Sequence, residues 1–197
     1  MDPHATAQLR ARIIDAAVIC VIDGGPTALS SRRVAELAGV DVPVVEDQFP
    51  SRDSMTATVV DRWGGALTDP LLPIATEQGT VAYLQALVAT FAREPQLMQL
   101  IAGVLGAATD PHSPGAAYYR EIYHRFATTI RESLVRDFAS GREVSAVSAE
   151  HAARQLLALY DGFRLQSLLV PNVPIEVAFD QGVAALRRGW VEVAAEL

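Results

Sequence analysis

The stretch LSSRRVAELAGVDVPVV, residues 29–45, decides how this chain is read. Ser30 or Ser31 is suited to cap a short helix, because a hydroxyl beside the first turn accepts from an otherwise unpaired backbone N–H. That helix ends near Ala38, and Gly39 supplies the left-handed residue that stops it without a Cβ clash. Asp41 opens a second helix, where Pro43 is tolerated because first-turn amides have no intrahelical acceptor. Val34, Leu37, Val40 and Val45 fall at spacings that turn them inward. Two short helices joined at a glycine have the outline of a helix-turn-helix. The outline alone does not separate a DNA reader from a structural helix pair.

Outward from this stretch the helical signals continue. Upstream, QLRARIIDAAVICVID places Leu9, Ile13, Ala16, Ala17 and Cys20 on one face, and Gly24-Gly25-Pro26 ends the run. Downstream, Ser51 is suited to cap a helix over 52–68. Longer helices are expected at 77–93, 95–107, 114–139, 146–169 and 174–195, separated by Glu94-Pro95, Asp110-Pro111, Ser140-Gly141, and Pro171 with Pro174. Alternating β-branched segments between turn pairs are missing, which argues against a sheet. The expected fold is all-α: an N-terminal three-helix helix-turn-helix domain followed by a larger helical bundle.

The 197 residues are half apolar and one-fifth charged, a composition that supports a buried core. A single cysteine, Cys20, excludes an intrachain disulfide and offers no metal cluster. No run is apolar and long enough to span a membrane, and MDPHATAQLR lacks a signal-peptide core, so a cytoplasmic protein is expected. All 16 basic side chains are arginine, and the net charge is −7. Residues 1–55 carry five arginines against eight acids, so bulk charge does not announce a nucleic-acid partner.

Taken together, residues 10–55 resemble the N-terminal domain of the TetR family of transcriptional regulators. RARIIDAAVICVIDGG is similar to the family's opening helix, and ALSSRRVAELAGV resembles its Leu-Thr-x-Arg-x-Ile-Ala-x-x-Ala-Gly-Val run. QFPSRDSM resembles its His-Phe-x-Ser-Lys-x-x-Leu segment, with Phe49 in the core and Ser51 opening the fourth helix. LYDGFRLQSLLVP is similar to a C-terminal helix of several subfamilies. The resemblance implies a DNA-binding domain over 1–52 and a ligand-binding and dimerisation domain over 53–197. It also implies a homodimer that binds operator DNA and is released by a small-molecule inducer.

Carried over residue by residue, the resemblance places Ser31, Arg32, Arg33, Val42, Pro43, Val44, Asp47, Gln48 and Arg52 at the DNA. Several of these depart from the family's chemistry. Asp41 replaces a capping hydroxyl and is expected to occupy amides that would otherwise hold a phosphate. Pro43 replaces a small residue, Val44 a Thr or Ser, Glu46 a Tyr that commonly reaches phosphate, and Gln48 a His. Phosphate contacts supply much of the affinity for DNA, so these replacements weaken binding. Arg52 sits in a first turn, where a cation opposes the helix dipole; a phosphate contact explains it, and so does balance by Asp53. Asp47 is suited to accept from cytosine N4 and Gln48 to pair with adenine. Ile19 and Ile22 replace solvated positions of the family. They are expected to pack against the C-terminal domain, the alternative being an apolar patch for another protein.

In the C-terminal part, Trp63, Tyr83, Phe91, Met98, Tyr119, Tyr123 and Phe163 are candidates for lining a ligand cavity, with His124 and Asp161 as polar groups. Between residues 63 and 119 the one cation is Arg93, which favours an apolar or cationic ligand. Leu156, Leu159, Ser167, Leu186 and Trp190 recur at helical spacing on the last two helices and are candidates for a dimeric four-helix bundle; an internal core accounts for the same pattern. Glu121-x-x-His124 has the spacing of a di-iron ligand pair, but no second pair accompanies it. No nucleophile motif or phosphate-cradling glycine loop is present. Neither catalysis, a cofactor nor a metal ion is expected.

Overall fold

Helix caps and prolines divide the chain much as their chemistry dictates. The computed structural model describes residues 3–170 and 172–195, with side chains for 4–170 and 172–191. Among them no strand occurs. Helix α1 spans Pro3–Gly24, α2 Ser31–Ala38, α3 Val42–Gln48 and α4 Arg52–Val59. A wide π-helical turn, Val60–Gly64, continues α4 into the short α5, Gly65–Thr68. Then follow α6 (Leu72–Glu77), α7 (Thr80–Phe91), α8 (Pro95–Ala107), α9 (Ala116–Ala139), α10 (Ala149–Leu169) and α11 (Ile175–Ala195). The expected helix over 77–93 therefore starts later. Gly79, at φ 99°, breaks the chain between α6 and α7 in a conformation that L side chains avoid. Pro171, expected as a break, lies outside the described residues.

By contacts the chain forms two units: residues 1–67 with 96–119, and 68–95 with 120–197. In the first, α1 buries Ile13, Ala16, Ala17, Cys20 and Val21, while Leu9, expected on the same stripe, is half-buried. The Cys20 thiol donates to the Ala28 carbonyl at 3.1 Å, and burial pushes its pKa up, so it behaves as a small core residue. Ser30 is the cap of α2 and accepts from the Arg33 amide, while Gly39 at φ 63° ends it. Ser51 and Ser54 form a reciprocal capping box that starts α4.

Three inward expectations are revised. Val34 and Val45 are fully buried, but Leu37 is 37% exposed; Ala35 and Ala38 face the core instead, because short side chains let α1 and α2 approach. Ile19 and Ile22, expected to be covered, are 46% and 44% exposed.

The second unit closes on Leu84, Leu87, Ile130, Leu134, Leu156, Phe179, Val183 and Trp190. A Cβ on Gly182 would stand 2.7 Å from the nearest Leu159 methyl, so α10 and α11 approach closely at that crossing and a larger residue would require Leu159 to shift. No helix among the described residues is long and apolar enough to cross a membrane.

Candidate functional site

The helix-turn-helix is held from beneath and open above. Val45 and Phe49 are buried, which fixes the rotation of α3 and leaves Asp41, Pro43, Glu46 and Asp47 exposed. Val42, Val44 and Gln48 are half-buried at its margins, and Ser31 is half-buried in the first turn of α2. Asp41 stands at the cap position of α3, yet its side chain makes no capping hydrogen bond. The expectation that its side chain occupies the amides of α3 is therefore corrected: the exposed carboxylate bonds none of them.

The arginines are more committed than their sequence positions suggest. Arg52 Nη2 donates to the Pro26 carbonyl at 2.8 Å, tying α4 to the turn after α1. Arg33 pairs with Glu36 at 3.2 Å on the surface, a contact of little energetic weight. Arg32 is exposed and makes no ion pair among the described residues. Arg10, absent from the sequence candidates, donates to Gln48 Oε1 at 3.1 Å and lies 5.1 Å from the centre of the Phe49 ring. Its partner is 38 residues away, so no local signal marks it.

The ligand candidates divide between the units. Trp63, Met98 and Tyr119 are buried in the first. There the Tyr118 hydroxyl donates to Asp61 in the π-helical turn, and Arg62 pairs with Asp15 of α1 at 3.2 Å. Tyr119 keeps its phenol protonated to about pH 12, chiefly through burial and then through Asp61 and Asp53.

In the second unit α9 and α10 bring Tyr123, Asp161, Arg164 and Tyr160 together. Tyr123 donates to Asp161 Oδ2 at 2.5 Å, and burial together with this bond raises its pKa. Asp161 Oδ1 lies 3.2 Å from Arg164 Nη2, paired by charge but not aligned as a hydrogen bond. The Arg164 guanidinium lies 5.3 Å from the centre of the Tyr160 ring, which packs on Phe126 at 5.8 Å. Burial raises the Tyr160 phenol to about 12, against a smaller opposite pull from Arg164. Tyr83 and Phe91 are buried, Phe163 is half-buried, and His124 is exposed. The arrangement thus assembles Tyr123 with Asp161 and adds Arg164, which the sequence candidates omitted. No group of three or more His, Cys, Asp or Glu suited to a metal occurs among the described residues.

On the last two helices Leu156 and Trp190 are 0% and 1% exposed within this one chain, which corrects their placement at a dimer surface. Trp190 donates from Nε1 to Gln155 at 2.5 Å and meets Phe138 edge-on. Leu159 is half-buried against Gly182, and Ser167 and Leu186 are half-buried. The outward apolar residues are Leu165, Leu169, Val177 and Val191, each at least 50% exposed.

A family model described as BetI-type transcriptional repressor, C-terminal, matches residues 76–191, more than half of the chain. The chain belongs to the TetR family of transcriptional regulators. Solved structures of transcriptional regulators share the fold. A TetR transcription regulator from Haloarcula marismortui aligns with a TM-score of 0.73 at 18% identity, covering 97% of this chain and 98% of that one. A transcriptional regulator from Rhodococcus sp. Rha1 aligns with 0.66 at 26% identity, covering 91% and 96%. Thermus thermophilus FadR, a TetR-family transcriptional repressor in complex with lauroyl-CoA, aligns with 0.66 at 18% identity, covering 90% and 92%. No curated protein matches the sequence. The TetR-family head and bundle are therefore shared architecture.

Proposed function

We propose that this TetR-family protein is a ligand-responsive repressor that binds operator DNA as a homodimer in the cytoplasm and is released by a small molecule. The observation that carries the proposal is α3 itself. It is anchored through Val45 and Phe49 while Pro43, Glu46 and Asp47 stand free on its outer side, the arrangement needed to enter a major groove. Ser31, Arg32 and Arg33 at the start of α2 and the donors of Gln48 flank that face, with Val42 and Val44 beside them. Arg52 supports the head through Pro26, a contact that a phosphate would have to share or replace.

Two such heads would engage half-sites about one helical turn, roughly 34–36 Å, apart. The exposed residues Leu165, Leu169, Val177 and Val191 support pairing through α10 and α11. In the second unit the Tyr123–Asp161–Arg164 cluster, with Tyr83, Phe91 and Phe163, supports a ligand site. An apolar ligand suits it better than a cation, since Arg164 already neutralises Asp161.

A second reading has its own support. Asp41, Glu46, Asp47 and Asp53 are all exposed on and beside α3, and carboxylates oppose phosphates. On that reading the protein senses a ligand or a protein partner and no longer holds an operator. Titration of the full chain against a duplex carrying its own upstream region, at low and at physiological salt, separates the two. The repressor reading expects binding at low salt that weakens as salt rises, and an affinity for any duplex raised several-fold by Glu46→Tyr. Absence of binding to every duplex at low salt would leave the second reading.

A further inference from the structure

We propose that Arg10 of α1 is a DNA-binding residue that grips a backbone phosphate beside the C-terminal end of α3. The inference rests on the operator-binding reading above. Arg10 is exposed, and its Nη1 donates to Gln48 Oε1 at 3.1 Å. Its guanidinium also lies 5.1 Å from the centre of the ring of Phe49, which is buried. An amide and a ring face are both neutral, and Arg10 makes no ion pair among the described residues. A guanidinium carries five N–H donors in a planar fork. With Nη1 engaged, its Nε–Nη2 edge makes no hydrogen bond among the described residues. That is the edge with which Arg187 holds both oxygens of Glu143. Two parallel donors on one edge match two phosphate oxygens as they match two carboxylate oxygens.

Placement and charge both favour a phosphate. The seven residues of α3 measure about 10 Å along the axis, against a major groove about 12 Å wide. A helix of that length, entering the groove by its first turn, ends near the phosphates that wall it. Gln48 is the last residue of α3 and Phe49 its C-cap, so Arg10 stands at that end. Two other arginines of the head are already engaged, Arg52 with the Pro26 carbonyl and Arg33 with Glu36. Exposed Asp41, Glu46 and Asp47 repel the DNA backbone, and a cation at the far end of the helix offsets part of that loss. Gln48 and Phe49 restrict the Arg10 side chain before DNA arrives, which lowers the ordering cost of the contact. A cation at the C-terminal end of α3 also complements the helix dipole, a structural role that the experiment separates from phosphate binding.

Affinity of the full chain for a random-sequence duplex and for a duplex carrying its own upstream region, measured across salt concentrations, tests this. Wild type, Arg10→Met, Arg10→Gln and Arg12→Met are compared. Arg10→Met keeps an apolar stem for Phe49 and loses the charge. It is expected to bind both duplexes roughly tenfold more weakly at low salt, since a charged hydrogen bond is lost. The slope of log affinity against log salt is expected to fall by about 0.9, the share of one phosphate. Arg10→Gln, which keeps an amide donor without the charge, is expected to do the same, and it decides the matter if Arg10→Met does not fold. Arg12→Met removes an exposed arginine two residues along α1, about 200° round the helix, and is expected to keep the wild-type slope. Weaker binding with an unchanged slope in both Arg10 variants would assign Arg10 a purely structural role and overturn the inference. An equal fall in slope for Arg12→Met would make the effect one of net charge and overturn it too. A wild type that binds neither duplex at low salt overturns the operator reading itself, and the inference with it.

Discussion

Asp137 is fully buried near the end of α9, and its carboxylate accepts from the Thr80 amide at 2.7 Å and from Arg142 Nη1 at 2.6 Å. Arg142 continues to the Glu77 carbonyl at 3.3 Å. One side chain thus fastens the start of α7, the turn after α6 and the loop after α9. A buried carboxylate also suits the positive end of α7. Removing one partner of such a group leaves others unpaired in the interior. Asp137→Ala is expected to lower the stability of the fold by about 3–5 kcal/mol in urea unfolding. Arg142→Ala is expected to cost a comparable amount, because it leaves the buried Asp137 carboxylate without its cation. The sequence does not distinguish Asp137 from other acids, since its partners come from a distant turn. At the reading helix the split is similar. Asp41, Glu46 and Asp47 are recognisable as acidic from the sequence. That the Asp41 side chain caps no amide of α3, and that Arg10 meets Gln48, depends on side-chain directions that spacing does not fix.

Among the elements, the helices with firm punctuation are the ones the sequence places well. Ser30, Gly39 and Ser51 act locally, and the backbone groups they satisfy lie within a few residues of them. The face that each helix buries is less local. Leu156 and Trp190 share the apolar spacing of α10 and α11 with Leu165, Leu169, Val177 and Val191, yet the first pair is internal and the others are exposed. Periodicity marks an apolar helix on more than one side without saying which side meets its own chain. The proposed dimer is therefore best probed at the outer residues. Leu165→Glu with Val177→Glu is expected to give a folded monomer in sedimentation experiments, with unchanged helical content. Leu156→Glu is expected to unfold the bundle instead, because it buries an unpaired charge. A folded dimer in the double variant would count against pairing through this face.

For the whole molecule, two buried phenols set an alkaline limit. Tyr119 and Tyr160 hold their protons to about pH 12, against an ordinary value near 10. Between these values the unfolded chain loses protons that the native state retains. Unfolding is thus favoured as pH rises, and the stability the phenols contribute is complete below about pH 10. The melting temperature is expected to fall between about pH 10 and 12, and Tyr160→Phe to flatten that fall. A melting temperature independent of pH across this window would refute the assignment. By itself, the sequence determined an all-helical chain, the positions of its caps and breaks, its TetR-family head and the acidic character of α3. The helices, caps and breaks follow from periodicity and from backbone groups that are satisfied close to home, and the head follows from the family resemblance of residues 10–55. Only the tertiary structure decided which apolar faces close on their own chain, and which partners Arg10, Arg52 and Thr80 meet at 38, 26 and 57 residues' separation. Such contacts form where packing brings distant segments together, and their geometry depends on the whole arrangement rather than on any local run of residues.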